Sequence, residues 1–320
     1  MNPRARSWSF RRALCAVVLS ALTLVSCASQ QSESTAAVSD TSTVALSGDS
    51  PDFANATYRG IDVATGDVTL VDGKWEAPDR DGLSGGWVSL SSAELRGDLD
   101  DDGEDEVVVM LDASGGGSGM FTYMTVFARR EGGWVQIADP VTLGDRIEFR
   151  DQRVEPGRII FDVVQAGADD PACCPGEMAT LVYTLTDGHL VAQPPQVTGR
   201  LALATVVTGP WRLLSFDPGD DVPSDVEVTL EYLDGRFWGS TGCNTYQLSV
   251  KDGDSAGAIE PGTPAATRRA CEGAAAGVES RFLQSLAGVN RVSFAGPGRI
   301  TMDYKVGEKY GVLTFQALGD

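Results

Sequence analysis

Basic residues are scarce and histidine is nearly absent. The chain has 25 lysines and arginines against 45 acidic residues, a formal balance of −20, and a single histidine in 320 residues. Four of the basic residues, Arg4, Arg6, Arg11 and Arg12, lie within the first 26 positions, which contain no acid; beyond them 21 basic residues face 45 acidic ones, −24. Nucleic acid is therefore excluded as a partner, because phosphate binding needs a basic footprint and no Lys/Arg stripe runs through the chain. The acid excess reads first as solubility. Catalytic signatures are missing too: there is no G-x-S-x-G elbow, no H-E-x-x-H and no Cys–His dyad, and His189 falls in a predicted turn. Carboxylates this numerous carry little information without a cleft. What is present is a 42% hydrophobic content over 320 residues, enough for a core in each of two domains.

The N-terminus has the layout of a secretory signal: a basic "MNPRARSWSFRR", thirteen apolar or small residues at 13–25, "ALCAVVLSALTLV", and then small residues. That run is too short to span a bilayer. Leu24-Val25-Ser26-Cys27 resembles the lipobox of bacterial lipoproteins, which implies cleavage after residue 26 and acylation at Cys27. Two or three acyl chains, at about 0.8 kcal/mol per buried methylene, are ample for stable anchoring. The alternative is a soluble secreted protein with a cysteine at the cleavage site. Ala28 in place of Asp implies sorting to the outer membrane, facing the periplasm, in a Gram-negative cell. Residues 27–53, rich in Ser, Thr and Ala and carrying only acidic charge, read as a flexible tether.

Residues 54–196 read as an antiparallel β-meander domain. Segments such as "DVTLV", "EDEVVVMLDAS", "MFTYMTVFARR", "RIIFDVVQA" and "ATLVYTLT" are rich in β-branched and aromatic residues, with "DG", "EGG" and "PG" turns between them. "TDGHL" predicts a type I′ hairpin. The glycine-rich Gly115–Gly119 lies between two strands and lacks the Lys-Ser/Thr and helix of a phosphate cradle, so it reads as a hairpin loop. "PPQ" at 194–196 and "VTGRLALATVV" separate this region from the next.

Residues 206–317 contain "GPWRLLSF", "DVEVTLEY", "RFWGSTGCNTYQLSV", "TPAATRRACEG", "VESRFLQSLAGVNRVSF", "RITMDY" and "GVLTF". In "AAAGVESRFLQSLAG", Ala274, Val278, Phe282 and Leu286 recur every four residues beside Ala275 and Leu283, which predicts a helix with one apolar face, stopped at Gly288. A single helix flanked by strands packs against, or plugs, a curved antiparallel sheet. The order of features resembles the META domain, the family that includes the HslJ-like heat-shock lipoproteins. Its motif positions here are Trp211, Gly242, Cys243, Asn244, Thr267, Cys271 and Glu279. The resemblance implies a cracked β-barrel with one helix, so the fold class expected for the whole chain is mainly β.

Cys15 leaves with the signal and Cys27 carries lipid, which leaves four cysteines. In an oxidising envelope compartment Cys243, in the Gly-Cys-Asn turn, and Cys271, in the Thr-x-x-x-Cys segment, are the candidate disulfide; two buried free thiols are the alternative. Cys173 and Cys174 in "DDPACCPGE" have no second cysteine pair to complete a zinc site. They are read as a vicinal disulfide in a proline-bracketed loop, with an incidental pair as the alternative.

"GDLDDDGEDEVVV", residues 97–109, carries seven acids between Asp98 and Glu106. It resembles the calcium loop of FG-GAP repeats, which leads into a strand. An EF-hand is excluded, since its twelfth position is Val109 and no flanking helices are evident. The candidate calcium ligands are Asp98, Asp100, Asp102, Glu104, Asp105 and Glu106, with the last ligand open between Asp105 and Glu106. A structural Ca²⁺ and a solvated acidic turn both remain as readings. The function expected is that of a non-enzymatic, lipid-anchored envelope module that binds another protein or an apolar ligand in stress response or assembly. A calcium-responsive recognition module and an envelope enzyme are the alternatives.

Overall fold

The computed structural model describes residues 51–64, 66–77 and 85–319. Residues 1–26, the expected lipidation site Cys27 and nearly all of the expected tether lie outside this range. The end of that tether is structured: a short 3₁₀ turn covers Phe53–Asn55, and Phe53 is buried. It leads into an antiparallel pair, β1 (Thr57–Tyr58) and β2 (Val68–Thr69).

Three further antiparallel sheets follow, each from a contiguous stretch of chain. A six-stranded sheet holds β3 (Lys74–Glu76), β4 (Trp87–Gly97), β5 (Glu106–Ser114), β6 (Phe121–Arg130) and β7 (Gly133–Gln136) in sequential order, with β8 (Val141–Asp145) also pairing β6. A five-stranded sheet holds β9 (Glu148–Glu155), β10 (Arg158–Gln165), β11 (Glu177–Thr186) and β12 (His189–Ala192), with β13 (Gln196–Arg200) also pairing β11. The expected meander is thus divided between two sheets. Its hairpin at "TDGHL" has Asp187 and Gly188 at φ 50° and 76°, the two left-handed residues a type I′ turn requires.

After α1 (Leu203–Val206) comes a nine-stranded sheet. Its members are β14 (Trp211–Phe216), β15 (Thr229–Leu233), β16 (Arg236–Ser240), β17 (Thr245–Asp252), β18 (Ile259–Pro261), β19 (Ala265–Ala266), β20 (Val289–Phe294), β21 (Arg299–Val306) and β22 (Lys309–Ala317), with α2 (Ala274–Leu286) between β19 and β20. The order is β18-β17-β16-β15-β14-β22-β21-β20. The two outer strands nearly meet: Ala258 bridges Arg291, and Val292 N–H donates to Gly257 O at 2.7 Å. The result is a near-closed barrel. Alternation along β16, β17 and β21 sends Phe237, Tyr246, Leu248, Ile300 and Met302 inward. α2 presents Val278, Phe282 and Leu286 to that core, as its four-residue spacing predicts.

The valine run of β5 does not alternate, because both of its faces are covered. Val107, Val109, Leu111 and Ala113 pack under the N-terminal Phe53, Tyr58, Ile61 and Leu70. Val108 and Met110 pack instead with Ile159, Phe161, Val163 and Leu181 of the five-stranded sheet. The five-stranded sheet is covered twice as well, since Val164 and Met178 join the core of the C-terminal barrel. Residues 196–207 contribute to both neighbours: β13 pairs β11, while Leu201, Leu203, Val206 and Val207 are buried in the barrel cluster. β4 has no counterpart among the strands expected from sequence. Its serines give a weak pattern, and its register on β5 is shifted between Leu90 and Glu94.

Candidate functional site

The acidic loop joins β4 to β5. Asp98 organises it: Oδ1 accepts Asp101 N–H at 2.7 Å and Oδ2 accepts Gly103 N–H at 3.1 Å. Asp101 and Gly103 adopt left-handed conformations, with φ 63° and 87°. These local bonds are the ones short acidic side chains make in turns, and they explain the Asp/Gly spacing. Glu106 is the first residue of β5 and is 1% exposed; its Oε2 accepts Leu99 N–H at 2.9 Å. Carboxylate oxygens of Asp98, Asp100 and Glu106 lie within 4.8 Å of one another. Arg130 Nη2 lies 3.8 Å from Asp100 Oδ2. Asp102 turns to accept Glu104 N–H at 2.8 Å, and Glu104 and Asp105 are exposed. Of the two residues open for the last position, Glu106 is the one that faces the cluster.

Burial pushes the Glu106 carboxyl above the usual glutamate range, opposed by the Leu99 N–H and reinforced by Asp100, Asp102 and Asp98. Two ionised carboxylates about 4.8 Å apart repel by roughly 1 kcal/mol in water and roughly 3 kcal/mol at an effective dielectric of 20. An all-oxygen set of this kind suits a hard divalent cation, Ca²⁺ above all.

The C-terminal motif residues form a second cluster, centred on Asn244, which is 4% exposed. Its Oδ1 accepts Thr267 Oγ1–H at 2.7 Å and Arg269 N–H at 2.8 Å. Its Nδ2 donates to Arg269 O and to Glu279 Oε1, both at 3.1 Å, and lies 3.3 Å from Cys271 Sγ. Cys243 and Cys271 are joined in a disulfide, Cα–Cα 5.7 Å. Thr241 Oγ1 lies within hydrogen-bond reach of Glu279 Oε2 and accepts Asn244 N–H at 2.9 Å. Asn244 thereby ties the β16–β17 turn, the segment that follows β19 and α2 together, using both amide hydrogens and its carbonyl oxygen. Gly242 has φ 86°, and a Cβ there would stand 2.3 Å from Val226 Cγ1. Trp211 is elsewhere, buried in β14 opposite Leu230 and Ala317. Thr241 and Arg269 belong to the cluster although sequence reading left them out; the positions next to Gly-Cys-Asn and within Thr-x-x-x-Cys were the available signal.

Cys173 and Cys174 are bonded to one another, and Cys173 is exposed. Asp170 anchors their loop: its side chain, 2% exposed, pairs with Arg200 and accepts Gly167 and Gly176 N–H at 2.8 Å each. The Arg200 hydrogen bond holds the Asp170 carboxyl below the usual range. His189 is exposed at the start of β12.

A near-closed antiparallel barrel plugged by one helix, with an Asn-centred cluster at its turn, defines the C-terminal part. Residues 204–318 match the family model of the META domain, so the chain carries a C-terminal META domain. A solved protein from Burkholderia xenovorans, determined by NMR, is similar at 22% identity over 40% of this chain and 97% of its own, with a TM-score of 0.30. No curated protein matches the chain.

Replacing Asn244 with Ala strands Arg269 N–H and Thr267 and removes the tie to Glu279, with an expected loss of about 3 kcal/mol in urea denaturation. Adding Glu279→Ala to that variant is expected to cost less than it does in the native chain. Additive losses would show that the two residues do not act through one network.

Proposed function

We propose that this protein is a non-enzymatic, lipid-anchored component of the bacterial cell envelope, similar in kind to the HslJ-like heat-shock lipoproteins. In this reading residues 1–26 direct export, Cys27 is acylated, and the folded part binds another envelope protein or an apolar ligand in stress response or assembly. The observation that carries the non-enzymatic part is the state of the Asn244 cluster. Asn244, Thr241, Thr267 and both oxygens of Glu279 are engaged with one another, and the nearby sulfurs are tied in a disulfide. The cluster holds a turn to a helix and offers no activated nucleophile. Lipid anchoring rests on the "LVSC" sequence; among the described residues no helix is long and apolar enough to cross a membrane.

The full chain produced in an exporting bacterium is expected to incorporate labelled palmitate and to partition with membranes. Cys27→Ser should abolish both. Label retained in that variant, or a native chain found only in the soluble fraction, would contradict the anchor.

A calcium-responsive recognition module is a second reading, favoured by the convergence of Asp98, Asp100 and Glu106. With the carboxyl of Glu106 held above its unfolded value, the ion-free fold is most stable where Glu106 is protonated, and loses stability as pH rises through the interval between the unfolded and folded values. A bound cation reverses that penalty. At pH 7 and about ten times a Kd near 1 mM, Ca²⁺ is expected to stabilise by roughly 1.4 kcal/mol, raising Tm by about 3 °C. The rise should shrink on acidification into the range where Glu106 protonates, and disappear in Glu106→Gln. Calorimetry with no heat and no Tm change at millimolar Ca²⁺ would remove this reading.

A further inference from the structure

Where the three large sheets come together there is a cleft of about 230 Å³. Its walls come from the six-stranded sheet (Ser91 and Met110), from β9 and the residue before it (Ile147, Phe149 and Gln152), and from the end of β20 and the turn after it (Phe294 and Ala295). Ile147, Phe149 and Phe294 are each only half-buried. The cleft is framed by bonds across the junction. Glu148 Oε1 accepts Arg291 Nη2–H at 3.2 Å, its Oε2 accepts Phe294 N–H at 3.0 Å, and Gly296 N–H donates to Phe149 O at 3.1 Å. The carboxylate in the frame is therefore engaged.

Gln152 is different. It lies opposite Phe161 in the β9–β10 register, so its side chain is on the face turned toward the six-stranded sheet. Its Oε1 is buried and has no hydrogen-bond partner among the described residues. A buried amide oxygen left unpaired is costly and calls for a cause. We propose that this cleft is a binding site for a small, neutral, mainly apolar molecule bearing one hydroxyl group. The apolar body packs on Ile147, Phe149 and Phe294, with Met110 as an adaptable wall. A turn about the terminal side-chain torsion of Gln152, a broad and soft one, brings the amide from its buried position to the cleft, where the hydroxyl pairs with it; being both donor and acceptor, the hydroxyl suits either orientation of that group. A cation is disfavoured because Glu148, the one carboxylate in the lining, already holds Arg291.

The proposal deepens the apolar-ligand part of the reading above and does not depend on acylation. It is tested on the full chain carrying Cys27→Ser, with 2-naphthol as probe and its methyl ether, which cannot donate, as control. Fluorescence titration is expected to show saturable, one-to-one binding, with 2-naphthol favoured roughly three- to tenfold over the ether. Gln152→Leu should bring that ratio close to one while still binding the ether. Ala295→Trp, at the exposed rim, should weaken both ligands at least tenfold, and decides the matter should Gln152→Leu fail to fold. Absence of saturable binding, a ratio unmoved by Gln152→Leu, or binding indifferent to Ala295→Trp would overturn the site.

Discussion

The five-stranded sheet is the layer on which the other parts depend, because it is buried from both sides. Phe161, Val163 and Leu181 face Val108, Met110 and Met124 of the six-stranded sheet, while Val164 and Met178 enter the core of the META domain. Adjacent residues of a single strand, Val163 and Val164, thus serve two different cores through the two-residue period of a β-strand. Glu148 extends the same coupling in polar form, reaching from β9 to Arg291 and Phe294 of β20. Burial pushes its carboxyl upward, and the Phe294 N–H and Arg291 oppose the shift, so docking of the barrel supplies the partners that offset the cost of burying this group.

This layering accounts for where the distinctive chemistry lies. The acidic loop sits at the mouth of a strand covered on both faces, so the chain has no freedom to draw Glu106 back toward solvent, and the loop closes over it through Leu99. The Asn244 cluster is internal to the META domain and works as a clamp between a turn and α2. The cleft beside Gln152 exists only because three sheets meet there; none of them alone would enclose it.

Much of this was legible in the sequence, and the exceptions share a cause. Period-four spacing from Ala274 to Leu286 identified α2, and Asp-Gly pairs located the turn at Asp187–Gly188, because both signals are local. The Gly-Cys-Asn and Thr-x-x-x-Cys strings, with the glutamate of the helix, marked five residues that do converge, Cys243, Asn244, Thr267, Cys271 and Glu279. β4 escaped notice because its serine-rich stretch is held by its ladder to β5 and not by its own pattern. The run 106–114 signals a strand but not that both faces are covered, and the double allegiance of residues 196–207 depends on contacts made far away in the chain. Among the acids, Glu106 stands out only once β5 is placed: one residue earlier, Asp105 points to solvent.

If the middle sheet joins its neighbours into one body, residues on opposite sides of it must melt together. Scanning calorimetry of the full chain, native and with Cys243→Ser and Cys271→Ser combined, addresses this directly. The account predicts one endotherm with equal calorimetric and van 't Hoff enthalpies, shifted as a whole when the bond closing a separation of 28 residues, worth roughly 3 to 4 kcal/mol, is removed. Two separable transitions, of which only that of the META domain responds to loss of the disulfide, would contradict it.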